Sequence, residues 1–447
     1  MNNPTYITET YSGKGQALQL KPSTKQHVVI QSPPNLNLSY SSFTFEVWIY
    51  GKSFSLTSDN AILGQCQTPG VGNNSCLHLV VRKGLTYLGF FFDDVSGSTL
   101  LKVNEWYHLA FVFNNTKREQ IVYVNGIPDG YRTSERPYMG EGGKITIGVS
   151  EIRPTNNVDF FDGYLDQLSY VSRAKTDEEI LDDATLVVYY QFENQLLDSG
   201  PLLLNGTMST PSEYTAGMIG QALFFPPGDD GGSFFEAQRL PMLLKSSAKA
   251  FSVSMWIRPA TVGASTLVHI SNNPHGLVSV GNPYCMPLIG FSSTGQLIVQ
   301  GLSEASNSVL LSGPDLKMNE WVHVVETYSS ANGIRLHLNG TFINSTEPFS
   351  YLQNTDPIPI TVILGAHVGC QPASDSLISG PYHGLIDEFR IYSRELTSTD
   401  IYKLANPFMI HTTTTRIPLT TITTTATTVL TTTTQPTTPY IATLTGD

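Results

Sequence analysis

The sequence predicts an all-β protein with two tandem antiparallel β-sandwiches and a low-complexity C-terminal tail. The segment Gly163–Arg173 recurs as Gly384–Arg394, and apolar and polar residues alternate along both copies, which is the period of a strand with one buried face. The chain contains 37 Gly and 27 Pro, enough for the many turns of an all-β fold. From His411 onward most residues are Thr, which sets the tail apart from both copies.

Each copy of the repeated strand is followed by the start signal of a short helix. Thr176 with Glu179 makes a capping box, and Thr397 with Asp400 makes a weaker version of it. A strand that recurs together with its helix indicates a duplicated domain. We predict one sandwich over residues 1–183, a second over 186–406 and a tail over 407–447, with a short linker at 182–185.

Composition and charge argue against several classes of function. The 447 residues carry a net charge of -12, and Lys and Arg form no basic run. Nucleic acid and anionic membranes select basic patches, so neither is expected as a partner. No stretch is long and apolar enough to span a membrane. The first residues lack a signal-peptide pattern, so we expect the numbering to begin after processing or within a longer product.

The four cysteines are expected to form one disulfide in each half. Cys66 and Cys76 bracket a loop that contains Pro and Gly, and we predict that they pair. Cys285 and Cys370 are distant in sequence and would need adjacent strands in order to pair. No cysteine lies in a CxxC pattern, so a zinc or redox site is not expected. Four buried free thiols are the alternative interpretation.

Six asparagines begin N-x-S/T sequons and are candidate N-glycosylation sites: Asn37, Asn73, Asn114, Asn205, Asn339 and Asn344. Each sequon alone is a weak signal, because such triplets arise by chance in chains rich in Asn and Thr. Together with paired cysteines and a Thr-rich tail, they favour a secreted, extracellular glycoprotein.

Both halves contain the same further motifs in the same order. Alternating strands end on Trp48-Ile49 and on Trp256-Ile257, and Asn-Gly dipeptides indicate type I′ hairpin turns. The matched pairs are Gly15–Leu18 with Gly220–Leu223, Phe43–Ile49 with Phe251–Ile257, Asn104–Ala110 with Asn319–Val325, Asn125-Gly126 with Asn339-Gly340, and Ile145–Gly148 with Val362–Gly365.

This ordered set of motifs resembles the laminin G-like (LamG-like) domain of the concanavalin A-like lectin/glucanase superfamily, over nearly all of residues 1–406. The resemblance implies that each half is a jelly roll, with two antiparallel sheets packed face to face. It also implies an extracellular module whose partners are glycans, proteoglycans or proteins.

The two halves differ at their beginnings. The second half starts with Leu186–Asn194 and an Asp198-Ser199-Gly200 turn, which resemble the first strand of the family. The first half has no counterpart, because aligning Gly15 with Gly220 places Met1 opposite Gly206. We therefore expect the first sandwich to expose a sheet edge and an uncovered groove, which is a liability unless something fills it.

The tail is a candidate for filling that groove. Its composition is typical of a disordered, O-glycosylated stalk. Thr, Ile and Val are also strong strand formers. The alternative hypothesis is that the tail of one copy adds a strand to the first sandwich of the next copy, which would build a head-to-tail filament. The candidate donor residues are Ile417, Leu419, Ile422, Val429 and Leu430.

Asp93 and Asp94 are the candidate calcium ligands. The resemblance implies that Ca²⁺, the one cofactor we consider, would bind at a rim of the sandwich through Asp and Asn oxygens and backbone carbonyls. A solvated acidic loop is the alternative, because adjacent side chains point apart.

No motif of an enzyme is present. Asp166 and Asp387 recur at matched positions, but the Glu-x-Asp-x-(x)-Glu strand of the hydrolases that share this fold does not occur. We interpret both as acceptors for backbone N–H groups. The matched residues Trp48, His108, Trp256 and His323 are expected to pack and to form structural hydrogen bonds.

We therefore expect a non-enzymatic extracellular structural or adhesion glycoprotein, with self-assembly into filaments as the sharper hypothesis. A glycan-binding lectin-like module is the main alternative, with extracellular glycans or matrix proteins as partners. Accessory domains of a secreted carbohydrate-active enzyme form the third interpretation.

Overall fold

The computed structural model describes residues 3–31, 36, 38–66, 74–140, 142–150, 159–228, 232–240, 250–271, 285–305, 307–352, 360–366, 380–409 and 442–443. These residues form two antiparallel β-sandwiches in tandem, which confirms the predicted fold class. The described part of the first sandwich also contains a 3₁₀ turn at Pro22–Thr24.

The strands of the first sandwich are β1 (Thr5–Ile7), β2 (Ala17–Leu20), β3 (Val28–Ile30), β4 (Phe43–Gly51), β5 (Asn60–Gln65), β6 (Leu77–Arg82), β7 (Leu85–Gly89), β8 (Asp94–Ser96), β9 (Trp106–Asn114), β10 (Glu119–Val124), β11 (Ile127–Thr133), β12 (Ile145–Ile147) and β13 (Gly163–Val171). Helix α1 (Asp177–Thr185) follows.

The strands of the second sandwich are β14 (Leu186–Tyr190), β15 (Thr207–Met208), β16 (Glu213–Ala216), β17 (Gln221–Phe225), β18 (Phe235–Leu240), β19 (Phe251–Pro259), β20 (Ser265–Ser271), β21 (Cys285–Phe291), β22 (Gln296–Leu302), β23 (Ser308–Asp315), β24 (Val322–Ser329), β25 (Gly333–Leu338), β26 (Thr341–Ser345), β27 (Ile360–Leu364) and β28 (Gly384–Tyr392). Helix α2 (Ser398–Ala405) and strand β29 (Ala442–Thr443) come last.

The two sandwiches repeat one strand order. In the first, one sheet runs β1-β2-β13-β4-β9-β10-β11 and the other runs β3-β12-β5-β6-β7-β8. In the second, the corresponding sheets run β16-β17-β28-β19-β24-β25-β26 and β15-β18-β27-β20-β21-β22-β23. The repeated sequence segments form β13 and β28, which lie at equivalent places inside the larger sheets.

Each sandwich buries its own core between its two sheets. The inward residues of β4 and β9 alternate with outward ones, as the sequence period requires, and Phe43 and Phe111 are completely buried. The second core includes the segment around β14, because Val188, Tyr190 and Phe192 are completely buried in it.

Each sandwich ends in a helix with the predicted capping box. The Thr176 and Thr397 side chains accept from the backbone N–H groups of Glu179 and Asp400, whose carboxylates accept in return from the N-cap backbone. Residues 182–185, the predicted linker, form the end of α1, and β14 starts at Leu186. The helix continues because Ile180 and Ala184 bury one face of it.

The two sandwiches contact each other directly beside α1. The Ser393 N–H donates to the Thr185 carbonyl over 2.7 Å, and Lys403 Nζ lies 2.8 Å from a carboxylate oxygen of Glu178. A further contact between the sandwiches is the hydrogen bond that Lys14 Nζ donates to the Leu203 carbonyl over 2.6 Å. The proposed domain boundaries stay a prediction.

Candidate functional site

The candidate site is the edge of β13 in the first sandwich. The equivalent strand of the second sandwich, β28, shows which strands pair at this edge. There, β28 pairs with β19 on one side. Its other side is shared by β17, at Gly384–Ile386, and by β14, which pairs Val188 with Ile391 and Tyr189 with Arg390. Strand β14 therefore covers the C-terminal half of β28.

In the first sandwich the same edge carries a strand from the C-terminal tail. Strand β2 pairs with β13 at Gly163–Leu165, as β17 does with β28. Further along, Ala442 pairs with Tyr170 and Thr443 pairs with Ser169. Because β13 and β28 align from Gly163 and Gly384, these two tail residues take the places that Val188 and Tyr189 have in the second sandwich. Among the described residues, β29 is the strand that lies there.

The tail strand covers this edge less completely than β14 does. Leu168 and Tyr170 of β13 are half-buried, whereas the equivalent Phe389 and Ile391 of β28 are completely buried. Tyr170 still packs on the core, with its ring 5.1 Å from that of Phe45. The edge of β13 therefore presents apolar side chains and can accept a further strand, and the two residues of β29 cover only part of it. The predicted donor residues from Ile417 to Leu430 lie outside the described part of the chain.

The sequence contains a strand signal at β29, but the high Thr content of the whole tail makes this signal hard to recognise. Residues 440–444 read Tyr-Ile-Ala-Thr-Leu, a short run rich in strand formers, and Pro439 precedes it. The high Thr content of the whole tail gives the earlier segment a similar strand propensity. Only the pairing with β13 singles out Ala442 and Thr443.

A bulge at the same point of β13 and β28 shapes the acceptor edge. Gln167 and Glu388 have φ values of 49° and 53°, and the register of each strand shifts there. The carboxylate of the residue before each bulge accepts a hydrogen bond from a backbone N–H group. Asp166 accepts from Tyr11 over 3.2 Å. Asp387 accepts from Ile219 over 3.0 Å. Burial raises the pKa of Asp387 to about 7 and raises that of Asp166 as well.

The matched Trp–His pairs lie on the outer faces of the larger sheets but are covered. The rings of Trp48 and His108 are 5.3 Å apart, and those of Trp256 and His323 are 5.0 Å apart. Burial lowers the pKa of both imidazoles to about 3, so they are neutral at physiological pH. His323 Nε2 lies 3.0 Å from Ser254 Oγ, within hydrogen-bonding distance. This arrangement suits packing rather than proton transfer to a substrate.

The candidate calcium ligands are bound to protein donors. The carboxylate of Asp93 is buried and accepts from Asn74 Nδ2 over 2.6 Å and from Arg132 Nε over 2.7 Å. That of Asp94 accepts from the Tyr87 hydroxyl over 2.8 Å. Calcium would have to replace these partners, so calcium binding here stays a prediction. Within the described ranges, no group of three His, Cys, Asp or Glu is arranged to hold a metal ion.

A disulfide joins Cys66 to Cys76 across a Cα–Cα distance of 4.5 Å. It closes the loop between β5 and β6 in the smaller sheet of the first sandwich. The side chain of Cys285 and all of Cys370 lie outside the described part of the chain. Their pairing stays a prediction.

Replacing Cys66 and Cys76 with serine is expected to destabilise the first sandwich by about 2–3 kcal/mol, because a closed loop of this size lowers the entropy of the unfolded chain. Hydrogen exchange of the β5 and β6 amides measures the loss. The β20 amides of the second sandwich serve as the internal control. An unchanged exchange rate in β5 and β6 would contradict this expectation.

Three of the candidate glycosylation sites are exposed. Asn205 lies in the loop after β14, while Asn339 and Asn344 lie on the β25–β26 hairpin. Asn114 is half-buried at the end of β9, and Asn37 and Asn73 lie outside the described residues. Glycosylation of any of them stays a prediction. Of the helices described, neither has the length or apolar character needed to cross a membrane.

The strand order, the two matched strands and the paired cores define a concanavalin A-like β-sandwich protein. More particularly, the chain belongs to the laminin G-like family, because the Laminin_G_3 model, described as concanavalin A-like lectin/glucanases superfamily, matches residues 22–181 and 230–402. This family is the one that the ordered motifs predicted. Curated protein sequences contain no match to the chain.

Similar solved structures include one domain of an arabinanase and the binding domains of a botulinum neurotoxin and a mosquitocidal protein. Domain 4 of AbnA, a GH43 extracellular arabinanase from Geobacillus stearothermophilus solved with arabinotriose, is 23% identical with a TM-score of 0.32, covering 49% of this chain and 98% of that one. The binding domain of botulinum neurotoxin DC, solved with rat synaptotagmin II, is 14% identical with a TM-score of 0.37.

The binding domain of Paraclostridial Mosquitocidal Protein 1 is 16% identical with a TM-score of 0.38. For both toxins the match covers 51% of this chain and 53% of the other, so the chain spans about half of their length. At such low identities and TM-scores, the ligands of these proteins are not transferred to this chain.

Proposed function

We propose that the chain is a non-enzymatic, secreted structural or adhesion glycoprotein whose first sandwich accepts a C-terminal strand. In the assembled state a neighbouring copy donates this strand, and the copies join head to tail into a filament. The observation that carries the proposal is the pairing of Ala442 and Thr443 with β13, at the place where β14 pairs with β28.

The short pairing of β29 favours exchange between copies. Two residue pairs hold β29, whereas four hold β14. Few backbone hydrogen bonds then oppose release, at about 1 kcal/mol for each bond. The intervening residues 410–441 could reach at most about 100 Å, because an extended chain spans about 3.3 Å for each residue. A tail of this length can place β29 beside β13 of its own copy or of a neighbouring copy.

The direction of the chain also supports donation to a neighbour. Helix α1 of the first sandwich leads directly into β14, the first strand of the second. Helix α2 occupies the equivalent position in the second sandwich and is followed by the tail. The tail follows α2 as β14 follows α1, so we expect the tail to supply the equivalent first strand to the first sandwich of a neighbouring copy. A head-to-tail contact that does not close on itself produces filaments.

Negative-stain microscopy of the full chain, beside the same chain ending at Asn406, tests the proposal. Filaments from the full chain and monomers from the shortened chain are the expected result. If both are monomeric at high concentration, donation between copies is contradicted and the tail is a stalk. Enzymatic removal of N-glycans, followed by mass measurement, tests the extracellular part of the proposal at Asn205, Asn339 and Asn344.

Glycan binding is the second candidate function, and a polar cavity in the second sandwich favours it. In that case the sandwiches would bind extracellular glycans or glycosylated matrix proteins, either alone or as accessory domains beside a catalytic domain. A glycan array probed with residues 1–406 discriminates this candidate from pure assembly. Calcium dependence of any binding would support the proposed role of Asp93 and Asp94.

A further inference from the structure

The second sandwich contains a polar cavity between the outer face of its larger sheet and the start of α2. Its volume is about 290 Å³, at the small end of ligand pockets. Thr327 and His337 line its buried end, and Ser398 lines its exposed end. Its remaining polar lining comes from Asn332, Arg335, Glu395 and Thr397.

At the equivalent place of the first sandwich, mostly apolar side chains pack together. Val112 corresponds to Thr327, Ile121 to Arg335, Tyr123 to His337 and Ala174 to Glu395, by alignment of the matched motifs. In the first sandwich these four residues pack against Ile180 of α1, and the Tyr123 hydroxyl donates to Asp177 over 2.8 Å. The second sandwich has a polar residue at all four positions.

Two buried polar atoms of the cavity have no hydrogen-bond partner within the protein. Thr327 is completely buried and His337 is 7% exposed, yet Thr327 Oγ1 and His337 Nδ1 are both unpaired. A buried polar group without a partner is destabilising, and such groups are rare in folded proteins. Their presence in the lining of a cavity is explained if a polar guest supplies the missing partners.

The side of the cavity is organised by a hydrogen-bonded group of three residues. Arg335 Nη2 donates to Asn332 Oδ1 over 2.8 Å, and Asn332 Nδ2 donates to Glu395 Oε2 over 2.8 Å. Arg335 Nη1 also lies 3.5 Å from Glu395 Oε1, so the two charges offset each other. Burial lowers the pKa of His337, which keeps its ring uncharged. The lining has donors and acceptors but no net charge.

We propose that this cavity binds a small neutral polyol, with the size of a single sugar ring. A hydroxyl group donates and accepts at once, so it can pair with Thr327 Oγ1 and with His337 Nδ1 in either tautomer. Arg335 supplies further donors and Glu395 further acceptors toward the exposed end. The inference deepens the glycan-binding candidate by naming a site for it, and it does not depend on strand exchange.

Saturation-transfer NMR on the full chain tests the site, with glucose, galactose, mannose, xylose, arabinose and N-acetylglucosamine as separate probes. The matched variant is Thr327→Val with His337→Tyr, which installs the residues that fill the first sandwich. We expect at least one neutral sugar to bind the natural chain. The variant should weaken that binding by about tenfold or more, the effect of losing one or two hydrogen bonds. Its thermal stability should be equal or higher.

Three outcomes would overturn the proposal. These are no binding of any neutral sugar, undiminished binding by the double variant, and binding of glucuronate without binding of its neutral counterpart glucose. If the double variant unfolds, the nearly isosteric Thr327→Val alone decides the question. Microscopy measures filament assembly, and NMR measures sugar binding in this cavity. Failure of the assembly proposal can therefore be distinguished from failure of the binding proposal.

Discussion

Replacing Glu326 with leucine is expected to stabilise the second sandwich by about 3 kcal/mol at pH 7. Glu326 lies on β24 between the core residues Val324 and Tyr328, and it is completely buried. Neither carboxylate oxygen has a hydrogen-bond partner in the protein. Its cross-strand neighbours are Val253 and Leu336, both of the core. An unpaired polar group in such a place destabilises the fold.

The effect depends on pH in a defined direction. Burial raises the pKa of Glu326 well above its ordinary value of 4.5, so the folded protein keeps the proton while the unfolded chain releases it. Below pH 4.5 both states are protonated and this penalty is absent. As the pH rises above 4.5, each pH unit costs the folded state about 1.4 kcal/mol until the folded pKa is reached.

Thermal unfolding from pH 4 to pH 8 measures this difference. Glu326→Leu should raise the melting temperature at pH 7 by about 6–12 °C and should flatten its decline above pH 5. The matched control is Phe111→Glu, because Phe111 is the equivalent core residue of the first sandwich and should reproduce the penalty there. Equal stability of the natural chain and Glu326→Leu at pH 7 would show that Glu326 has a partner in solution.

Deleting residues 441–447 is expected to destabilise the first sandwich by about 2 kcal/mol, at about 1 kcal/mol for each strand hydrogen bond lost. The physical reason is that β13 then exposes its edge at Ser169 and Tyr170. Hydrogen exchange at Leu168–Val171 should become faster, while exchange in β28 should not change. A synthetic peptide of residues 440–447 should restore protection in a concentration-dependent manner.

An internal deletion of residues 431–436 is the matched control for that variant. It shortens the tail by a similar length but keeps β29, so the first sandwich should stay as stable as in the natural chain. Faster exchange after this control deletion would mean that tail length, rather than strand pairing, protects β13. Failure of the peptide to restore protection would argue against strand addition.

The sequence predicted most of the fold because its signals are local and occur twice. The alternation in β13 and β28, the Asn-Gly turns and the two capping boxes all depend on neighbouring residues. The difference between the beginnings of the two halves was also predictable, from their comparison. The extent of α1 through the predicted linker was not predicted, because a helix end is poorly marked when no Gly or Pro follows it.

The sites were less predictable because they depend on contacts between distant residues. The strand propensity around Ala442 and Thr443 is similar to that of the earlier tail, and only the pairing with β13 singles these residues out. The cavity near His337 arises from four polar substitutions that are separated in sequence and meet only in the folded sheet. Alignment of the two halves shows where they differ, but only the structure shows that the differences lie together.

The most direct test of the central claim is oxidative cross-linking of Tyr170→Cys and Ala442→Cys. Directly opposed residues of antiparallel strands have Cα atoms about 4.5–5.5 Å apart, within the range of a disulfide. If a neighbouring copy donates the strand, mixing copies with one substitution each yields a covalent dimer, and copies with both substitutions yield a ladder of longer oligomers. Only internally linked monomers from the double variant, or no cross-link beyond that of the natural chain, would contradict it.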